Sequence, residues 1–258
     1  HTRYWRDWSS DVCSSDLVTE KPDLYGDMYR DLRDIGVPEM LGRDLRMFMT
    51  NTGIPPVPLD EDAVEWKQET EVARAAGLKA PAKKGSFLTG GTAPKQLTDM
   101  QAILNGEDRY DVVFTTYDQM NTVKGQDTPR RSFLARLAPR AMIAFDESHN
   151  AGGAAKTGWE SKNKPKNRAD FAREIAANAN GVIFSSATYA KRPDVMDLYA
   201  RTDMGAAVDD AKQLPDLIQG GGVPMQQVVA SMLSDAGQYL RRERSFDGVE
   251  YAIEPVAV

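Results

Sequence analysis

The sequence predicts an α/β fold with a parallel sheet that is covered by helices on both faces. Three short segments are almost continuously apolar or β-branched: YDVVFTTY at 110–117, AMIAFD at 141–146 and GVIFSSAT at 181–188. Such runs are typical of strands that are buried on both faces of a parallel sheet. Helical signals alternate with them, which favours helices packed on that sheet. A length of 258 residues allows one sizeable domain, or one domain and part of another.

Capping and stop signals define the helices. Gly36 and Gly77 provide helix ends, and Asp60 provides a start, because glycine tolerates the left-handed C-terminal position and aspartate caps free N–H groups. The stretch SFLTGGT at 86–92 is a further short strand candidate. The predicted helices span about residues 24–35, 61–76, 94–104, 168–179 and 224–240.

Composition limits the classes of function. The chain is 41% hydrophobic and 27% charged, which is typical of a globular protein. Its net charge of −6 argues against a whole surface built to bind nucleic acid, although it allows a local basic patch. No apolar run approaches the roughly 18 residues that span a bilayer, and we find no signal peptide. We therefore expect a cytoplasmic protein with no membrane contact.

The N-terminal segment has the character of an artefact. The chain begins with His1, and residues 7–17 read DWSSDVCSSDL, which corresponds to an in-frame translation of a common sequencing-library adapter. We therefore expect residues 1–17 to be non-native and to pack in no defined way, and residues 18–258 to form a partial domain. Cys13 then carries no redox argument, and His149 is the one histidine left as a candidate.

Two adjacent carboxylates, Asp146 and Glu147, follow the second predicted strand, and His149 comes two residues later. Ligand sites of parallel sheets form at the carboxyl ends of the strands. One carboxylate there can hold Mg²⁺ through its waters, and the other can deprotonate an attacking water. Taken alone, the pair is equally consistent with an acidic cap of the following turn.

The neighbouring predicted strands also end in polar residues, so three consecutive strand ends present polar side chains to one edge of the sheet. A zinc enzyme would lack ligands, because one histidine and no credible cysteine remain. A serine hydrolase would lack the G-x-S-x-G turn. One strand ends in Thr115, Thr116 and Tyr117, and the next one after Asp146 ends in Ser186, Ala187 and Thr188, where Ser186 and Thr188 are the polar residues.

At these residues the sequence resembles a known family. DESH at 146–149 resembles the Walker B or DEAD-type box of superfamily 2 helicases, and SAT at 186–188 resembles the motif that couples ATP hydrolysis to nucleic-acid binding. The longer phrases TEKPDLYGDMYRDLRDIG, VVFTTYDQM, AFDESHNAGG, SSATYAKRPDVMDLYARTDM and GGGVPMQQVVASMLSDAGQYLRRERSFDGVEY resemble the strawberry notch family of helicase-like ATPases. The resemblance covers residues 18–253. It implies a partial first helicase domain with a RecA-like sheet.

The resemblance also implies roles for single residues. Asp146 would coordinate Mg²⁺ through water, Glu147 would be the general base, and His149 would lie between the nucleotide and the coupling motif of Ser186, Ala187 and Thr188. An alternative for His149 is a cap of the loop. Contacts to nucleic-acid backbone, DNA more than RNA, are implied for Thr19, Lys21, Pro22, Thr115, Thr116 and Tyr117, with simple strand-end turns as the alternative.

The sequence departs from the family in one respect. No G-x-x-x-x-G-K-[ST] loop for the phosphates of ATP occurs, nor any Gly-Lys dipeptide. We expect this loop and the second RecA-like domain to be missing from the chain, which as it stands should be inactive as an ATPase. The rival interpretation is a non-catalytic nucleic-acid or protein-interaction module in transcriptional regulation.

Overall fold

The fold is built on a five-stranded parallel sheet. A computed structural model describes residues 15–107, 110–152, 167–186, 193–202 and 213–239. In these segments the strand order is β2-β5-β1-β6-β7, and every neighbouring pair is parallel. Two short strands, β3 and β4, form a separate antiparallel pair. The strands are β1 (Ser15–Thr19), β2 (Met47–Met49), β3 (Val57–Pro58), β4 (Phe87–Leu88), β5 (Val112–Thr116), β6 (Met142–Phe145) and β7 (Gly181–Phe184).

The helices follow the predicted alternation with the strands. Asp60 caps α3 by accepting a hydrogen bond from the Ala63 amide, as its sequence position predicts. Short 3-10 turns follow the carboxyl ends of β5 and β6. The helices are α1 (Tyr25–Asp34), α2 (Val37–Leu41), α3 (Glu61–Ala75), α4 (Ala93–Asn105), α5 (Pro129–Leu137), α6 (Arg168–Asn178) and α7 (Leu214–Asp235).

Side chains of the sheet alternate between two hydrophobic clusters. In β5, Val113 belongs to the larger cluster, whereas Val112 and Phe114 belong to the second one. Residues of α4, α5 and α6 complete the larger cluster, and residues of α1 pack against the second. The prediction of a parallel sheet with helices on both faces is therefore confirmed, and the architecture is consistent with a RecA-like domain.

The first strand differs from the expectation for the N-terminal segment. Ser15, Asp16 and Leu17 form the first part of β1, which lies in the middle of the sheet between β5 and β6. The expectation that residues 1–17 pack in no defined way is therefore wrong for these three. Residues 1–14 lie outside the described residues, and the non-native origin of the segment stays a prediction.

Several elements were missed or misjudged. Helices α2 and α5 and strands β2 and β3 were not predicted. Helix α7 begins ten residues earlier than the predicted start at 224, and it is kinked at Gly222, whose φ of 57° and ψ of −152° are not helical. None of the helices in the described segments combines the length and apolar character needed to cross a membrane.

A third cluster joins the segment after β7 to the last helix. Val195, Met196 and Tyr199 of the 3-10 turn Pro193–Tyr199 pack against Ile218 and Leu233 of α7. The ring of Phe184, at the end of β7, meets the ring of Tyr199 edge to face with centroids 4.9 Å apart. This turn consequently lies directly behind the carboxyl ends of β6 and β7.

Candidate nucleotide site

Asp146 is fixed at the carboxyl end of β6 by three hydrogen bonds. Its amide donates to the Val18 carbonyl oxygen at 2.8 Å, and its carbonyl oxygen accepts from the Tyr117 hydroxyl at 2.7 Å. Its carboxylate Oδ2 accepts from the Thr19 hydroxyl at 3.2 Å. Residues from β1 and from the turn after β5 thus orient the carboxylate at the edge of the sheet.

Burial raises the pKa of the Asp146 carboxyl group above its ordinary value. The hydrogen bond from Thr19 acts in the opposite direction, and repulsion from the neighbouring Glu147 adds to the rise. A cation bound at this carboxylate would offset both the cost of ionising a buried group and the repulsion from Glu147, because it would stabilise the ionised form.

Glu147 has a left-handed backbone, with φ 45° and ψ 53°. This conformation is uncommon for a residue with a side chain and costs on the order of 1–2 kcal/mol. This backbone conformation turns the chain sharply after Asp146. The amide of Asn150 closes the turn by donating to the Glu147 carbonyl oxygen at 2.8 Å. The reversal brings His149 next to the Glu147 side chain.

His149 stands between Glu147 and Ser186. Its Nδ1 lies 3.2 Å from Glu147 Oε2 and 3.1 Å from Ser186 Oγ. The contact with Ser186 has the geometry of a hydrogen bond, and the tautomer of the ring decides which of the two groups donates. The contact with Glu147 does not have this geometry, so Glu147 Oε2 is a buried oxygen without a hydrogen bond in the described part of the chain.

The turn that carries these residues is held from behind. The Ser148 amide donates to the Ser185 carbonyl oxygen at 2.8 Å, and the Ser148 hydroxyl shares a buried 2.8 Å hydrogen bond with the Tyr199 hydroxyl. Gly152 leaves room for Val195, since a Cβ at this glycine would overlap the valine side chain. No sequence pattern singled out Tyr199, because its partner is 51 residues away.

The other predicted site residues divide into buried and exposed groups. Thr19, Thr115, Thr116 and Tyr117 are at most 2% exposed. Their hydroxyl groups are engaged within the chain, with Asp146, Thr50, Asn51 and Asp146 in that order. Lys21 is exposed and Pro22 is half-buried at the start of a 3-10 turn. Contacts of these six residues with nucleic acid stay a prediction. Ala187 and Thr188 lie outside the described residues.

A second polar group, which sequence reasoning missed, lies at the carboxyl ends of β2 and β5. Thr50 donates to Thr115 Oγ1 at 2.8 Å, and Asn51 donates to Thr116 Oγ1 at 3.2 Å. Gln96 donates to the carbonyl oxygens of Met49 and Asn51, and Arg130 binds this assembly from α5. The only sequence signal for it was the polar character of TNT at 50–52.

The turn after β6 offers a metal ion the adjacent carboxylates of Asp146 and Glu147. Within the described residues, no group of three or more histidine, cysteine or acidic side chains could enclose a metal ion. Mg²⁺ usually keeps several waters and is held by one or two carboxylates together with substrate phosphates. Asp146 fits this manner of binding, because it lies at the edge of the sheet and because a cation would stabilise the ionised form of a carboxyl group whose pKa is raised.

Comparison with known proteins finds a family and several relatives. The family profile described as "P-loop containing NTP hydrolase pore-1" matches residues 8–258. The chain is 26% identical to Protein strawberry notch of Drosophila melanogaster over 165 residues, which cover 59% of the chain and 10% of the fly protein. It is 27% identical to Protein strawberry notch homolog 1 of Homo sapiens over 164 residues, which cover 59% of the chain and 12% of the human protein.

The matched region thus spans about a tenth of the length of these relatives. The profile covers nearly the whole chain and includes the β6 turn with Asp146 and Glu147. The chain belongs to the P-loop containing NTP hydrolase pore-1 family, and the strawberry notch proteins are its distant homologues.

Proposed function

We propose that this P-loop NTP hydrolase domain is part of a cytoplasmic enzyme that couples ATP hydrolysis to translocation on DNA or to its remodelling. One observation carries the proposal: a strained turn holds Asp146, Glu147 and His149 together at the carboxyl edge of a parallel sheet, with Ser186 of the next strand in contact with His149. Hydrolysis of a nucleotide depends mostly on such positioning and on stabilisation of charge.

In this mechanism Asp146 would hold a Mg²⁺ ion, and the ion would supply charge stabilisation at the phosphates. Glu147, which follows Asp146 in the same turn at the edge of the sheet, accepts the proton of the attacking water. Thr19 and Tyr117 keep Asp146 in place.

The contact between His149 and Ser186 gives hydrolysis a mechanical link to the rest of the sheet. A movement of Glu147 alters the position of His149, and the 3.1 Å hydrogen bond between His149 and Ser186 passes this change to the end of β7. Such a link supports coupling between nucleotide hydrolysis and the grip on a second ligand. It requires that the contact be intact in one nucleotide state and altered in another.

ATP turnover by the natural protein that contains this domain tests the proposal. We expect turnover to rise when duplex DNA is added and to rise less with RNA of the same length. Absence of turnover in every condition, in a protein with an intact phosphate-binding loop, would favour the non-catalytic interaction module. Turnover that DNA does not change would contradict coupling while leaving the hydrolase in place.

A further inference from the structure

Arg130 is a half-buried cation whose hydrogen-bond acceptors are all neutral. It is the second residue of α5. Its Nε donates to the Thr50 carbonyl oxygen at 2.7 Å, and its Nη2 donates to Thr52 Oγ1 at 3.1 Å and to Gln96 Oε1 at 3.2 Å. Burial lowers the pKa of the Arg130 guanidinium. Among the described residues, none of its hydrogen-bond partners carries a negative charge that would compensate the guanidinium.

One amino group of the Arg130 guanidinium takes part in none of these three hydrogen bonds. A guanidinium has five N–H donors, and the three hydrogen bonds above use Nε and Nη2. Nη1 makes no hydrogen bond within the described part of the chain, and it is not one of the buried nitrogens that lack a partner. It consequently reaches the surface with two free donors, while the rest of the group is held in a fixed orientation.

The next residue shows how the same fold treats an arginine with a structural role. Arg131 is 2% exposed, and its Nε donates to the carboxylate of Asp127 at 2.6 Å. Its Nη1 donates to the Met120 carbonyl oxygen, and its guanidinium lies 4.1 Å from the centre of the Phe171 ring. Arg131 is thus neutralised and enclosed, whereas Arg130 is neither.

Hydrogen bonds join several elements around Arg130, and within the described residues none of its partners is a carboxylate. Thr50 and Thr115 join the ends of β2 and β5 through a buried hydrogen bond, and Gln96 ties the first turn of α4 to the same place. The starts of α4 and α5 therefore both lie at this edge, and helix starts carry partial positive charge of the same sign. A guanidinium fixed in this way can contact an anion without losing further side-chain freedom.

We propose that Arg130 binds a phosphodiester group of nucleic acid through Nη1, with Thr52 beside it at the surface. The inference rests on the proposed function and names one contact for its nucleic-acid partner. Arg130 is attached to the end of β2, which is three strands from β6 in the sheet. At about 4.8 Å per strand this is roughly 14 Å, too far for Arg130 and Asp146 to contact the same γ-phosphate. The site is therefore distinct from the nucleotide site.

Binding of a fluorescent DNA duplex of about 20 base pairs, followed by anisotropy between about 50 and 200 mM salt, tests the inference on this chain. We expect Arg130→Gln to weaken binding by roughly three- to tenfold and to lower the salt slope by about one, as the loss of one phosphate contact requires. Arg140→Gln is the matched control. Arg140 donates to the Leu104 carbonyl oxygen at 3.0 Å on the opposite edge of the sheet, before β6, so its loss should change neither quantity.

The outcomes separate this inference from the proposed function. If the unmodified chain binds DNA and Arg130→Gln binds equally well with the same salt slope, the Arg130 contact is wrong and the proposed function stands. If the unmodified chain binds no DNA, both the contact and the nucleic-acid part of the proposed function are contradicted. If pyrophosphate raises the melting temperature of the unmodified chain but not that of Arg130→Gln, while DNA binding is equal, the site takes free phosphate instead.

A second variant guards against a folding defect. Arg130→Lys keeps the charge and loses the planar fork, so we expect the salt slope to be retained and the affinity to fall between those of the unmodified chain and Arg130→Gln. Circular dichroism melting of each variant shows whether it is folded. If Arg130→Gln does not fold, folded Arg130→Lys decides the question. The oriented contact would be contradicted if this variant binds DNA as tightly as the unmodified chain and if pyrophosphate raises its melting temperature by the same amount.

Discussion

Asp16 places a carboxyl group in the middle of the apolar sheet, and its replacement should stabilise the protein strongly. The residue is 1% exposed, and the strands on either side align it with Val113 and Ile143. Its Oδ1 is buried without a hydrogen bond in the described residues. Burial raises the pKa of Asp16 from 3.8 to about 8.

The size of the effect follows from this pKa. Between 3.8 and about 8, the unfolded chain releases the proton of Asp16 while the folded chain keeps it, so the free energy of unfolding falls as the pH rises. Each pKa unit is worth about 1.4 kcal/mol, which gives a loss of roughly 4 kcal/mol at neutral pH and roughly 6 kcal/mol above pH 8. Such a loss is a large part of the ordinary stability of a domain.

Urea unfolding at about pH 5 and about pH 8 measures this loss. Between these values we expect the unmodified chain to lose roughly 4 kcal/mol more than Asp16→Asn, which has the same shape and no titrating proton. Asp16→Val should be the most stable of the three at about pH 8, because a β-branched apolar side chain suits a central strand. Parallel pH profiles for the unmodified chain and Asp16→Asn would refute the reasoning.

Two further predictions concern the nucleotide site. Tyr199→Phe leaves the buried Ser148 hydroxyl without its partner, so it should lower the free energy of unfolding by roughly 1–3 kcal/mol in urea titrations. The double variant with Ser148→Ala should regain this stability, because no unpaired hydroxyl is then left. An unchanged stability of Tyr199→Phe would show that the hydrogen bond is absent in solution. The 258-residue chain has no glycine-rich loop with a lysine, so calorimetric titration with Mg·ATP should show no micromolar binding, and tight binding with hydrolysis would contradict this expectation.

The sequence was most informative where strands are buried on both faces. Strands β5, β6 and β7 were predicted from their apolar runs, and the strand-end argument placed His149 and Ser186 at one edge, where they are in contact. Helix α5 was missed because Arg131 occupies its buried face, where a helical pattern requires an apolar residue. Its charge is compensated by Asp127 and by an aromatic ring, and only the folded chain brings that ring near.

The candidate site was predictable only in part for a related reason. A threonine at a strand end can face solvent or turn inward, and the sequence does not distinguish the two. Thr115 and Thr116 turn inward and bind Thr50 and Asn51, which directly follow β2, a strand of three residues that carries little pattern of its own. Arg130 was missed because its three partners come from positions 34 to 80 residues away.

Separation of nucleotide binding from hydrolysis tests the division of labour between Asp146 and Glu147 most directly. In the natural protein that contains this domain, Glu147→Gln should retain Mg·ATP and abolish turnover, because the amide keeps the shape of the side chain and cannot accept the proton. Asp146→Asn should weaken Mg²⁺-dependent nucleotide binding as well. Equal loss of binding in both variants, or turnover by Glu147→Gln close to that of the unmodified protein, would contradict the account.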